Sequence, residues 1–93
     1  MAASHFAAMT SGTLSVNPPS ILDQQRGEIA VTLTGIAAGD LLVLEPPTTL
    51  HVGLGYAGFR ITANTVTIFL YNGSGGTLND GALDWRYTWW DRT

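Results

Sequence analysis

Phe59-Arg-Ile-Thr-Ala-Asn-Thr-Val-Thr-Ile-Phe-Leu-Tyr-Asn72 is the most regular segment of the chain. From Thr65 to Tyr71 it alternates strictly, with Val66, Ile68 and Leu70 on one side and Thr65, Thr67, Phe69 and Tyr71 on the other. A period of two in β-branched and aromatic residues specifies a strand. Ala63-Asn64 interrupts the run, and Asn tolerates the left-handed conformation that a tight turn needs. The segment therefore reads as a hairpin with one buried face. Its other face carries Phe69 and Tyr71, more apolar surface than solvent requires.

On either side the pattern repeats. Glu28 to Thr34 sets Ile29, Val31 and Leu33 against Glu28, Ala30, Thr32 and Thr34, a half-buried strand closed by Gly35. Leu41-Leu-Val-Leu-Glu45 is apolar on both faces, so it is expected in the middle of a sheet or beneath another subunit, and Pro46-Pro47 stops it. Thr13 to Val16 reads as a short strand ended by Asn17-Pro-Pro-Ser20, after which Ile21 and Leu22 are expected to tuck onto the core. Asp23 to Gly27 reads as a polar turn. In the glycine-rich stretch 48–58, Leu50, Val52 and Leu54 alternate and allow a further strand. The last strand, Leu83 to Trp90, places Leu83, Trp85, Tyr87 and Trp89 opposite Asp84, Arg86, Thr88 and Trp90. No segment makes a convincing helix. The expectation is an all-β protein: a small antiparallel β-sandwich or barrel, jelly-roll-like, of six to seven strands over 13–93, preceded by a short arm over 1–12.

Ninety-three residues allow one domain. A chain of this size buries roughly 60–65% of its unfolded surface and gains from a staple. It has no cysteine, which leaves association with another chain as the common remaining one. The four basic residues are scattered arginines and the formal net charge is −3. That balance argues against phosphate-backbone binding and against anionic membrane surfaces. No apolar run approaches a membrane span, and the N-terminus lacks the charged and apolar regions of a secretory signal.

Sites of chemistry are not evident. His5 and His51 have no carboxylate at metal-ligand spacing, no nucleophile elbow is present, and the glycines of 53–58 and 73–76 do not link a strand to a helix. No cofactor, metal or enzymatic activity is expected. The arm is either frayed or ordered against a neighbour, with Phe6 and Met9 as anchors. The aromatic terminus suits three uses. Its rings can fill the core, make a subunit contact, or stack on sugar through Tyr56, Trp89 and Trp90. Apolar residues on both faces of 41–45 and 65–71 favour self-association, with a homotrimer about an apolar axis as the expected form.

At Ile36-Ala-Ala-Gly-Asp40, Glu45-Pro-Pro47, Leu50, Gly53-Leu54, Ala63-Asn-Thr-Val-Thr67 and Leu70-Tyr-Asn72, the chain resembles small virion proteins of tailed bacteriophages, over roughly residues 28–90. Members of that group resemble capsid decoration (cement) proteins, or terminal domains of tail fibres and spikes. The resemblance implies a decoration protein on the outer capsid surface that ties major capsid protein subunits together and adds binding energy only to the mature lattice. Within that setting the strand pattern, and not any known site of the group, assigns the contacts: Phe6 and Met9 would touch the shell, Leu42, Leu44, Phe69 and Tyr71 would form the trimer, and Tyr56, Trp89 and Trp90 would be rim or ligand contacts. The alternative is the receptor-binding module of a tail fibre or spike. Deletion of residues 1–12 is expected to leave a folded trimer that no longer binds heads.

Overall fold

A computed structural model describes residues 6–79 and 81–92. Six strands follow in chain order: β1 (Phe6–Val16), β2 (Arg26–Thr32), β3 (Leu41–Glu45), β4 (Leu54–Thr62), β5 (Thr65–Asn72) and β6 (Leu83–Arg92). They form two three-stranded sheets, ordered β1-β6-β3 and β2-β5-β4, with every pairing antiparallel. Among the described residues this is an open sandwich of six strands, and no helix occurs. The all-β sandwich expected from the pattern is what forms.

The β4–β5 hairpin turns where expected. Thr62 pairs with Thr65 across Ala63-Asn64, and Asn64 is left-handed at φ 57°. The same asparagine ties the hairpin to the connection after β2. Its Oδ1 accepts the Gly35 N–H at 2.7 Å, its carbonyl accepts the Leu33 N–H at 3.0 Å, and its own N–H donates to the Ile36 carbonyl at 2.8 Å. Gly35 sits at φ +97°, a conformation that side-chain-bearing residues rarely adopt. Local turn chemistry and a tertiary contact thus reinforce one another.

The core lies between the sheets. Val66, Ile68 and Leu70 of β5 are fully enclosed, joined by Ile29 and Leu54 from their own sheet. Leu14, Val16, Leu42, Leu44 and Trp85 face them from the other, and Ile21, Leu33 and Ile36 close the ends. Cover thins along β6 towards its C-terminal end. Trp85 is buried, Tyr87 and Trp89 are half-buried, and Thr10, opposite Trp89, is exposed. The molecule is accordingly elongated, 51 × 21 × 19 Å.

Several expectations need correction. The first strand does not begin at Thr13 but at Phe6, because β6 is long enough to pair with it as far as Arg92. Leu41–Glu45 is not a central strand; among the described residues it pairs only with β6 and forms an edge. No strand runs through Leu50 and Val52. Successive turns, Leu50 N–H to Pro47 carbonyl and Leu54 N–H to His51 carbonyl, carry the chain to β4 and leave Val52 fully exposed. Ile21 enters the core, but Leu22 points to solvent. The turn over 23–27 is shorter than expected, with Gln24 left-handed and Arg26 and Gly27 already in β2.

The one buried polar side chain among the described residues is Asn72, at the end of β5. Its Nδ2 donates to the carbonyls of Ile21 and Gly76, each at 2.7 Å, and its Oδ1 accepts the Ser74 N–H at 2.9 Å. Its backbone bonds Gln24 and Gln25 as well. One residue therefore fixes the loop after β1 and the loop after β5. Replacing it with alanine removes all three side-chain bonds, leaving the Ile21 carbonyl with Leu78 N–H alone and the Gly76 carbonyl with the Ser74 hydroxyl alone. Asn72→Ala is expected to cost about 2–3 kcal/mol, from three hydrogen bonds lost at about 1 kcal/mol each, read as a lower urea midpoint with unchanged slope. An unchanged midpoint would mean the loops hold without this clamp.

Candidate binding surface

The alternation that fills the core also sorts each strand's other residues onto an outer face. On the β1-β6-β3 sheet that face carries Met9, Ser11, Thr13 and Ser15 from β1, Asp84, Arg86, Thr88 and Trp90 from β6, and Leu41, Val43 and Glu45 from β3. The cross-strand register lines them up in rows. Met9, Trp90 and Leu41 stand side by side, then Ser11, Thr88 and Val43, then Thr13, Arg86 and Glu45. Met9 is 63% exposed, Leu41 48% and Val43 53%, with Trp90 half-buried between the first two. The result is an apolar row beside a mixed row and a charged one.

Between the edge strands these rows form an open groove of about 560 Å³, lined by Ser11, Thr13, Val43, Glu45, Arg86 and Thr88. Ser11 and Thr88 approach hydroxyl to hydroxyl at 3.3 Å, and Arg86 meets Glu45 at 3.7 Å. Both of those ion-pair partners are well exposed, so the pair contributes little to stability. It marks where the surface turns from apolar to charged.

The residues singled out from sequence are scattered over the molecule. Leu42 and Leu44 are buried in the domain's own core and cannot meet a second chain while the domain is folded. The outward pair is Leu41 and Val43. The signal was present, since Glu45 shares their parity and marks the solvent side. Phe69 does point outward, but Arg26 and Arg60 reach over it with their guanidinium carbons 5.0 and 5.6 Å from the ring centroid. Glu28 lies 3.4 Å from one arginine and 4.0 Å from the other. The ring is thus shielded by its own chain, which removes most of the apolar surface expected there. Tyr71 keeps 45% of its surface exposed.

Of the aromatic contacts, Tyr56 packs edge-on against Trp85, with centroids 5.2 Å apart at 81°. Burial raises its phenol pKa above the ordinary tyrosine value. Trp89 turns inward, and its Nε1–H donates to Asp40 Oδ2 at 2.9 Å. The same carboxylate oxygen accepts the Ala37 N–H at 3.0 Å. Neither ring is a free stacking platform. Trp90 alone of the three lies on the outer face. His51 Nδ1 accepts the Gly53 N–H at 2.9 Å. Phe6 opens β1, but its side chain lies outside the described residues, as does His5. Comparison with known protein families, characterised proteins and solved structures finds no match. The outer face of the β1-β6-β3 sheet is therefore read on its geometry alone.

Proposed function

We propose that this domain is a non-catalytic module of a bacteriophage virion, seated on the outer surface of the capsid against the major capsid protein. The observation that carries the reading is the row of Met9, Trp90 and Leu41 with Val43 beside it, an apolar strip left uncovered by the domain itself. Burying a side chain of this size contributes roughly 1.5–3 kcal/mol when complete, so a few together suffice for a specific contact. The charged row of Arg86 and Glu45 alongside fits a polar rim around such a core. The resemblance over residues 28–90 supplies the biological setting.

The alternative, a receptor-binding module of a tail fibre or spike, draws less from this geometry. Two of the three aromatic residues it would use are engaged within the domain. The readings separate by location, since many copies on the head support decoration and a few on the tail support adhesion. Leu41→Glu with Val43→Glu places two charges on the strip without touching the core. The double variant is expected to remain folded and to lose binding to capsids by at least about a hundredfold, as two desolvated charges at a contact would cause. Ala30→Glu, on the outer face of the other sheet, is expected to bind normally. Undiminished capsid binding by the L41E/V43E variant would sink the proposal.

A further inference from the structure

The two open sheets have four edges, and three of them are protected against pairing. The β3 edge has five residues, ends in Glu45 and runs into Pro46-Pro47. The β2 edge carries Arg26 and Glu28. The β4 edge is broken by a register shift between Tyr56 and Gly58 and carries Arg60. Short length, charge, proline and bulges are the devices by which edge strands avoid other chains.

The β1 edge has none of them along most of its length. Its eleven residues, FAAMTSGTLSV, contain no charge and no proline, and its single register shift lies at the start, between Phe6 and Ala8. Its ladder is with β6 alone, and the backbone hydrogen bonds made outside the ladders by the described residues involve none of 6–16. Alternate N–H and carbonyl groups along Met9–Ser15 therefore face outward from the sheet with no partner among the described residues.

We infer that β1 is a self-association edge, at which a second copy of the chain adds its own β1 antiparallel across a twofold axis to make a continuous six-stranded sheet. The strand suits itself as a partner. A twofold antiparallel pairing sets each residue of one β1 against a residue of the other, and an uncharged strand meets no like charge in any register. A residue-centred axis keeps Met9, Ser11, Thr13 and Ser15 on the outer face in both copies. The apolar rows of the two copies, Leu41-Trp90-Met9, then run towards the joint from either side, so the strip described above becomes one surface spanning the dimer. This replaces the threefold axis expected from sequence, whose residues Leu42, Leu44 and Phe69 are occupied within the monomer. It stands independently of the capsid reading.

Sedimentation equilibrium of the full chain at micromolar concentration tests it. The expected mass is twice the monomer's 9.9 kDa. Ser11→Glu with Thr13→Glu puts acids on exposed outer positions of β1, and is expected to weaken dimerisation about tenfold or more through like charges meeting across the axis. Ala30→Glu with Thr32→Glu, the same charges on the β2 edge, is expected to leave the dimer intact. Hydrogen exchange of the unmodified chain gives a reading that does not depend on any variant folding, with amides of Met9–Ser15 gaining protection as protein concentration rises. A monomer or trimer in the unmodified protein, a folded S11E/T13E variant that dimerises normally, loss of the dimer in A30E/T32E, or concentration-independent exchange along β1 would each overturn the inference.

Discussion

Trp85→Ala is expected to remove a large fraction of the protein's stability. Trp85 sits on the middle strand of its sheet, opposite Leu14, and is 1% exposed. It meets Tyr56 of the other sheet edge to face, so one ring joins both layers. Truncating a buried tryptophan to alanine costs about 3–5 kcal/mol, from lost transfer energy and from a cavity that neighbours fill only in part. A small domain has roughly 5–10 kcal/mol in total, and this one lacks any disulfide. The loss consumes a large fraction of that margin. Urea titration followed by far-UV circular dichroism is expected to show a midpoint well below the unmodified protein's. Trp85→Phe, which keeps an aromatic ring, is expected to lose less than half as much. A Trp85→Ala unfolding free energy within about 1 kcal/mol of the unmodified protein's would show that the core closes without this ring.

Deletion of residues 1–12 destabilises the fold, instead of leaving it intact as the sequence suggested. The deletion removes the first seven residues of β1, and with them the pairs Met9–Trp90, Thr10–Trp89, Ser11–Thr88 and Gly12–Tyr87. At Gly12 a Cβ would stand 3.0–3.1 Å from the Tyr87 ring and hydroxyl, so that ring packs directly on the strand backbone. Each ladder bond lost contributes about 1 kcal/mol net, and several go at once. β6 would also become an edge beside Trp89 and Trp90, an apolar template for aggregation. The truncated chain is expected to lose about 3 kcal/mol or more of stability, on that count of bonds, and to aggregate on concentration. Soluble truncated protein with an unchanged urea midpoint would show that β1 is held by Thr13–Val16 alone.

Residues 59–72 could be read correctly without coordinates because everything needed is local. Alternation sets the faces of Val66, Ile68 and Leu70, and Asn64 marks the turn. Ile29 and Trp85 were legible in the same way, as inward members of alternating runs. The candidate surface was harder. In β3 both parities are apolar, so periodicity does not distinguish Leu42 and Leu44 from Leu41 and Val43, and only Glu45 breaks the tie. Phe69 carries no local sign that arginines from the two flanking strands will cover it. The arm was misread because a run of small uncharged residues has weak intrinsic preference, and its strand exists by virtue of pairing with β6, some seventy residues later.

Composition and pattern were enough to fix the class of fold, most inward-facing residues and the hairpin turn, because each depends on residues within a few positions of one another. Sheet membership, the order of strands and the identity of the open edges depend on which distant segments meet. Those meetings are governed by the summed burial of the whole core, and no single segment encodes them. The outer apolar strip is of that second kind. Met9, Trp90 and Leu41 are neighbours only because β6 runs between β1 and β3 in one register, and a shift of one residue would turn Trp90 inward and dissolve the strip.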